Sequence, residues 1–477
     1  MNIFEGLDYK VLKEVNKNIN YDGLEYDSRK IKNNFIFVAL EGNTVDGHDY
    51  IDKAVLNGAT CIIVSKKVEI KYDVNYYLVE NLRENLSIIA SNFYDYPQNK
   101  LTIIGVTGTN GKTTSTYMIE KLLGEEKVSR IGTIEYKIGN EVINAPNTTP
   151  ESAELIKLMY MSYNKGIKYI VMEVSSHSLE LGRVNSINFD YALFTNLTPD
   201  HLDYHKDMDN YFLAKRKLFL KLKNKSNAVI NIDDKYGKKL YDEFKCYGAL
   251  SYGLNEAELK ISNENNLDFL NYKNIKSEFI NNTIGTFNIY NILGSVGIAI
   301  KIGIPFEEIV EKIPFLNPAP GRFEPVNIGQ NFKVIIDYAH TPDALENILK
   351  TAKNLEKNKL ITVFGCGGDR DKTKRPIMAK IAEKYSDVVI LTSDNPRTED
   401  PKKILDDVFA GFENKNHFTE INREKAIEYA INIAEKNDIV IIAGKGHENY
   451  QIIGREKIHF DDREIAQEYI EKKLLKK

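Results

Sequence analysis

The sequence predicts an α/β protein of three domains. These are a small N-terminal α/β domain, a central domain whose parallel sheet carries a P-loop-type phosphate loop, and a C-terminal Rossmann-like α/β domain. Three observations predict this. At 477 residues the chain has room for about three domains of ~150 residues each. Residues 101–124, LTIIGVTGTNGKTTSTYMIEKLLG, read as an apolar strand, a glycine-rich turn and a helix stopped at Gly124. From residue 320 onward, apolar strands alternate with helical stretches, the pattern of a parallel sheet. The expected domains run over residues 1–97, 98–319 and 320–477.

Composition narrows the function classes. Hydrophobic content of 42% and charged content of 28% fit a water-soluble globular protein. Lys+Arg 64 against Asp+Glu 68, net charge −4, gives no reason to expect nucleic acid or an anionic membrane surface as partner. No run of ~18 apolar residues suggests a membrane span, and the start, MNIFEGLDYK, is charged and broken, so no signal peptide is expected. Cys61, Cys246 and Cys366 are odd in number and far apart, which argues against a disulfide framework or a zinc site and for the cytoplasm. A monomer is expected.

In residues 1–97, NNFIFVAL, ATCIIVSK and VNYYLVE read as short strands, with a helical piece near 51–56. Before the first of them stands Tyr26-Asp27-Ser28-Arg29. It is either a ligand-binding hydroxyl beside an arginine or a turn whose Asp and Ser cap backbone groups. Tyr96 to Lys100 reads as a linker.

The central domain is organised around its phosphate loop. Glycines let backbone N–H groups approach an anion, the helix N-terminus favours negative charge, Lys112 adds a point charge, and Thr113 can hold Mg²⁺. The spacing departs from the usual formula: its glycines are Gly105, Gly108 and Gly111, with Val106 where a glycine is expected. Asn147 to Glu151 is a polar turn with helix-start chemistry. The run 167–172 reads as a buried parallel strand, which puts Glu173 at its carboxyl end, where a carboxylate can hold Mg²⁺. YALFTNLTPDHLDYH repeats strand then polar cluster, with Asp200 and His201 as candidates to coordinate or orient a second metal. Residues 211–219 read as an amphipathic helix whose basic residues, Lys215 included, form a solvated face. In GTFNIYNILGSVGIAIKIG, Asn288 and Asn291 either offer amides to a nucleotide or are satisfied within the core.

The last domain opens at Pro320-Gly321-Arg322-Phe323-Glu324. Its strands KVIIDYA, KLITVFGC, DVVILTSD and DIVIIAGK end in Asp337-Tyr338-Ala339-His340, Gly365 to Arg370, Asp394-Asn395-Pro396-Arg397 and Gly444 to Glu448. In a parallel sheet these loops share one edge, where ligands bind. Arg370 stands at the last glycine position of G-x-G-x-x-G, so a dinucleotide site is disfavoured. Phosphate and Mg²⁺ groups in one domain, with arginines and carboxylates in another, suit an enzyme that joins two molecules at the expense of ATP.

Those residues resemble the Mur ligases, ATP-dependent amide-forming enzymes of peptidoglycan precursor synthesis. The resemblance covers nearly the whole chain and is carried by YDSR (26–29), GVTGTNGKTT (105–114), TTPE (148–151), MEVSSHSLELGRV (172–184), TNLTPDHLDYH (195–205), AKRKLF (214–219), PGRFE (320–324), DYAHTPDAL (337–345), GCGGDRDKTKR (365–375), DNPR (394–397) and GKGHE (444–448). It implies a ligase adding meso-2,6-diaminopimelate, or an analogue such as meso-lanthionine, to the D-glutamate of UDP-N-acetylmuramoyl-L-alanyl-D-glutamate through an acyl phosphate, using ATP and Mg²⁺. Ser28, Thr148, Thr149, Ser175 and Arg183 would contact the UDP-substrate, held by the first domain; some relatives carry a substrate-contacting glutamine where this chain has Leu181. ATP would be bound by Gly108, Thr109, Asn110, Gly111, Lys112, Thr113 and Thr114 with Asn291, Arg322, Asp337 and His340. Lys112, Glu173, His201 and a CO₂-carbamylated Lys215 would be catalytic, and Thr113, Glu173, His201 and Lys215 would hold metal. The amino-acid acceptor would lie on Arg370, Asp394, Asn395, Pro396, Arg397, Gly444 and Glu448, with Arg397 gripping the second carboxylate of diaminopimelate. A folate polyglutamylating ligase is the alternative within the class. A nucleotide-gated binding protein that forms no product is the alternative outside it.

Overall fold

The computed structural model describes residues 2–475 apart from 18, 43–44, 266, 356–357 and 415–416. They form two compact units, residues 1–281 with 290–315, and residues 282–289 with 316–477.

In the first unit, a 5-stranded sheet runs in the order Lys10–Lys13, Asn75–Leu78, Ala59–Val64, Phe35–Ala39, Gly23–Glu25. The expected strands and the Ile51–Leu56 helix are present. Segment 96–100 is not a solvated linker. Pro97–Asn99 is a 3-10 turn with Pro97 and Gln98 buried, and Gln98 donates to Ser91 Oγ at 2.8 Å. One apolar core continues from Ile3 through Leu86 and Ile89 to Met159, Met172 and Phe219, so packing does not break at residue 97.

The second sheet of this unit has 11 strands. Its middle is Tyr191–Phe194, Thr102–Thr107, Tyr169–Glu173 and Val128–Ile131, all parallel and buried on both faces, as their near-continuous apolar runs require. Antiparallel hairpins extend both edges, Glu135–Ile138 with Glu141–Asn144 on one side and Leu267–Tyr272 with Ile275–Phe279 on the other. The helix Lys112–Leu123 follows the phosphate loop and closes on Gly124.

The second unit holds a 6-stranded sheet in the order Glu324–Val326, Lys333–Asp337, Ile439–Ala443, Leu360–Phe364, Val388–Thr392, His417–Glu420. The four strands expected from sequence are its parallel centre, so their carboxyl ends share one edge. A hairpin, Tyr450–Ile453 with Glu456–His459, leaves that edge. Among the described residues no helix is long and apolar enough to cross a membrane, and the three cysteines are free thiols.

Candidate active site

The strand Thr102–Thr107 delivers the chain to a turn that only glycine can make. A Cβ on Gly108 (φ +148°) would meet Thr195 Oγ1 at 1.9 Å. One on Gly111 (φ +85°) would meet Asn291 Oδ1 at 2.4 Å, so the loop packs on the asparagine expected in the nucleotide set. Lys112 opens the helix, with Thr113 and Thr114 in its first turn. The Lys112 ammonium donates to the carbonyls of Gly108 (3.0 Å) and Thr109 (2.8 Å). Asn110 N–H donates to Asn196 Oδ1 at 2.9 Å and Thr109 N–H to Asn196 O at 2.9 Å, which pins the loop to the end of the neighbouring strand.

Glu173 ends the adjacent strand and is fully buried. Its Oε2 accepts from Thr113 Oγ1 and Thr133 Oγ1, each at 3.1 Å, and its Oε1 from Thr133 N–H at 2.8 Å. Thr133 also lies 3.1 Å from Thr148 Oγ1. Sequence reasoning missed Thr133, which sits in an undistinguished turn and belongs to no motif. A hydroxyl and a carboxylate side by side at a helix N-terminus are hard oxygen donors, the set that suits Mg²⁺.

Thr149, Ser175 and Arg183 gather just beyond. Thr149 Oγ1 donates to Glu173 O at 2.9 Å and accepts from Ser175 N–H at 3.1 Å, while Arg183 Nη1 donates to Thr149 O at 2.9 Å. Buried Glu151 is shared by Arg183 (2.8 Å) and Arg83 (2.9 Å), both partly exposed, a pairing that the sequence does not advertise. Ser28 stands apart from this chain of bonds, buried in the one-turn helix 28–30, where its carbonyl accepts from Asn57 Nδ2 at 2.8 Å.

Lys215 does not lie where its helix pattern places it. The helix Met208–Leu220 does carry a solvated basic face, with Arg216 and Lys217 paired to Glu243 and Glu180. Lys215 is not on that face: it is 1% exposed, and its Nζ donates to Gly108 O at 2.8 Å and lies 4.7 Å from the centre of the Tyr211 ring. Burial, reinforced by the Lys112 charge, holds its pKa well below the usual lysine range. His201 adopts φ +53°, and its ring packs on His177 at 4.9 Å, with His205 5.6 Å from His177. Burial lowers the pKa of His177 and of His205. Thr113 and Glu173 are in contact, but His201 is half-exposed on another loop. Among the described residues no three His, Cys, Asp or Glu side chains converge on one metal position.

The second unit gathers the remaining candidates. Asp337 ends its strand and accepts from Phe323 N–H (2.7 Å) and Ala339 N–H (2.8 Å). Burial pushes its pKa up to about 6, opposed by Arg322 and those two N–H groups. The folded value lies above the unfolded one. Folding therefore takes up a proton between pH 3.8 and about 6, and this group's contribution to stability falls as pH rises through that window. The Arg322 guanidinium lies 5.0 Å from the Tyr338 ring, which also packs on His340 (4.7 Å) and His447 (5.0 Å). Burial lowers His340 and takes His447 down to about 4.

At the same edge, Asn395 Nδ2 donates to Glu448 Oε2 at 2.8 Å, and Lys445 lies 3.3 Å from that carboxylate. Asp394 Oδ2 is buried beside Gly444 and takes no hydrogen bond from the described residues, an acceptor left open at the site. Arg397 adopts φ +51°, a conformation that costs a non-glycine residue energy and clusters at functional sites. Its Nη1 donates to Gly368 O at 2.8 Å, and Gly368 N–H donates to Asn395 O at 2.9 Å, so the loop after Pro396 is locked to the glycine loop before Arg370. Arg370 itself is exposed, touching only Asp369 O at 3.3 Å among described hydrogen bonds.

Residues 20–94 match the model of the Mur ligase family catalytic domain, 106–299 the Mur ligase middle domain, and 321–446 the Mur ligase glutamate ligase domain. A UDP-N-acetylmuramoyl-L-alanyl-D-glutamate–2,6-diaminopimelate ligase of Fusobacterium nucleatum subsp. nucleatum is 61% identical over 482 residues, covering 100% of this chain and 99% of that one. The Clostridium botulinum protein of the same name is 47% identical over 98% of each chain. A solved structure of a ligase with this name is 32% identical, covers 95% of each chain and superposes with a TM-score of 0.66. With a relative of such identity from end to end, and three domain models matched in order, this chain belongs to the Mur ligase family.

Proposed function

We propose that this chain is an ATP-dependent ligase that joins meso-2,6-diaminopimelate, or a close analogue such as meso-lanthionine, to the D-glutamate carboxylate of UDP-N-acetylmuramoyl-L-alanyl-D-glutamate. The observation that carries the reading is Arg397, held in a strained backbone at the sheet edge that also carries Glu448 and the open oxygen of Asp394. A guanidinium near carboxylates suits an acceptor with a second amino-acid centre. Its carboxylate takes the arginine and its ammonium the acids. Lysine has no such carboxylate.

The chemistry follows from the groups present. A carboxylate is a poor electrophile. One of its oxygens attacks the γ-phosphorus of ATP, ADP leaves, and the resulting acyl phosphate has a good leaving group. The phosphate loop 108–114 cradles the nucleotide through backbone N–H groups, and Lys112 turns from its own carbonyls to the transferring phosphoryl. Thr113 and Glu173, side by side, would hold Mg²⁺, with His201 and Lys215 as further candidates, and the ion would neutralise phosphate charge when bound. Thr133 keeps Glu173 in place. The neutral amine of the acceptor then attacks the acyl carbon, loses a proton and expels phosphate. Thr148, Thr149, Ser175 and Arg183 orient the UDP-substrate with Ser28, while Asn291, Arg322, Asp337 and His340 serve the nucleotide. Residues 1–97 serve as the UDP-substrate domain, 98–319 as the ATP domain and 320–477 as the acceptor domain.

Mass spectrometry of reactions with diaminopimelate, lanthionine and lysine tests the reading. Amide product is expected with the first two. For lysine, kcat/KM is expected to be lower by about 30-fold or more, the factor for an unpaired buried charge at ~2 kcal/mol. Equal efficiencies contradict it.

A further inference from the structure

We infer that the buried Arg423–Asp462 pair is the positioning device of the acceptor site, setting the two loops that carry Arg397 and Glu448 with a single guanidinium. The inference rests on the reading that those loops take the acceptor amino acid.

Arg423 opens the helix Arg423–Ile433 and Asp462 opens Asp462–Leu475; the two helices share the core of Ala426, Ala430, Ala466 and Ile470. Both side chains are 0% exposed. Arg423 Nε donates to Asp462 Oδ1 at 2.7 Å and Nη2 to Oδ2 at 2.6 Å, a bidentate grip that fixes the plane of the guanidinium. Two further donors go to main-chain carbonyls: Nη1 to Ser393 O at 3.2 Å and Nη2 to Ala443 O at 3.1 Å.

Those carbonyls mark a special place in the chain. Ser393 directly precedes Asp394-Asn395-Pro396-Arg397, and Ala443 directly precedes Gly444 to Glu448. Ser393 follows the strand Val388–Thr392 and Ala443 ends Ile439–Ala443; these strands are not neighbours, since Leu360–Phe364 lies between them. Ladder bonds alone therefore do not tie one loop root to the other, and Arg423 does. From these roots the bonds run on into the site. Gln451 Nε2 donates to Asp394 O at 2.6 Å, Asn395 Nδ2 to Glu448 Oε2 at 2.8 Å, and Ile452 N–H to Asn395 Oδ1 at 2.9 Å. Arg397 N–H donates to Ile452 O at 3.0 Å and its carbonyl accepts from Gly454 N–H at 2.7 Å, which holds the φ of +51°.

A buried ion pair contributes little net stability compared with apolar residues of the same size, because desolvation offsets attraction. This one spends its spare donors on loop roots, and Asp394 and Glu448 join Asp462 in keeping its guanidinium charged against burial. Both features point to geometry rather than stability as its contribution.

Steady-state kinetics with each substrate varied, together with thermal unfolding, test the inference on the full-length protein. Arg423→Met/Asp462→Leu replaces the pair with apolar side chains. The expected result is a diaminopimelate KM raised by about tenfold to a hundredfold, the range for displaced positioning groups. KM for ATP and for the UDP-substrate is expected to stay within about twofold, and the preference for diaminopimelate over lysine to shrink. Arg423→Lys, which keeps charge and some donors, is expected to recover part of the loss. If the double variant does not fold, the near-isosteric Asp462→Asn carries the decision by the same split. A lowered melting temperature with kcat reduced for every substrate and the diaminopimelate KM unchanged overturns the inference. The parent enzyme in the same assay separates the two failures: if it makes no amide with diaminopimelate, the functional reading falls; if it does and the variants show no split, only the role of Arg423–Asp462 falls.

Discussion

Lys215→Ala is expected to lower kcat by about 10²- to 10³-fold, the loss typical of removing one group that meets developing charge. Acetate or propionate is expected to restore part of it. The argument starts from burial. Lys215 is 1% exposed, donates to Gly108 O, and shares that carbonyl with the Lys112 ammonium. Two ammonium groups on one carbonyl, with no carboxylate paired to Lys215 among the described ion pairs, favour the neutral amine at the buried position. A neutral amine would add to CO₂: an N–C bond forms, the N–H proton leaves, and a neutral amine becomes a carbamate anion beside the phosphate loop. That anion would suit a metal and would attract the Lys112 ammonium in place of a repulsion. Alanine leaves room where a small carboxylate can sit. Full activity without added carboxylate would remove Lys215 from catalysis.

Arg397→Ala is expected to lower kcat/KM for diaminopimelate by about 30- to 1000-fold, corresponding to the 2–4 kcal/mol lost when one partner of a buried, hydrogen-bonded charge pair is truncated. Lysine turnover is expected to change by less than about threefold, since lysine brings no carboxylate to that point. The contrast is larger than a surface arginine would give, because Arg397 is held by Gly368 O and by the hairpin at Ile452 and Gly454. Competition assays with both acceptors in one tube measure the ratio. An equal loss for both acceptors would place Arg397 in the scaffold and outside recognition.

The legible parts of the sequence were those written locally. Gly111, Lys112 and Thr113 stand together, and the apolar run before them and the stop at Gly124 mark strand and helix. The four central strands of the 6-stranded sheet are continuous apolar runs with polar ends, so their common edge followed from parallel topology. Lys215 was misread from local physics because its surroundings come from Gly108 and Lys112, about a hundred positions away; only resemblance to a family gave it another meaning. Thr133 was missed because it stands in an ordinary turn outside every motif, and the pairing of Glu151, although it ends TTPE, because Arg83 and Arg183 are distant in sequence. Arg423 was missed for a further reason. At the start of an amphipathic helix an arginine looks solvated, and its partner Asp462 lies 39 residues on. The edge hairpins of the central sheet were not anticipated either, since short, half-exposed strands carry weak periodicity.

Oxygen-18 decides whether the glutamate carboxylate is activated as an acyl phosphate before diaminopimelate attacks, the step on which the proposed function rests. UDP-N-acetylmuramoyl-L-alanyl-D-glutamate labelled in its reacting carboxylate, incubated with ATP and diaminopimelate, is predicted to give inorganic phosphate carrying a single labelled oxygen per amide formed. Release of unlabelled phosphate, with the oxygen lost from the carboxylate recovered in water, would contradict it.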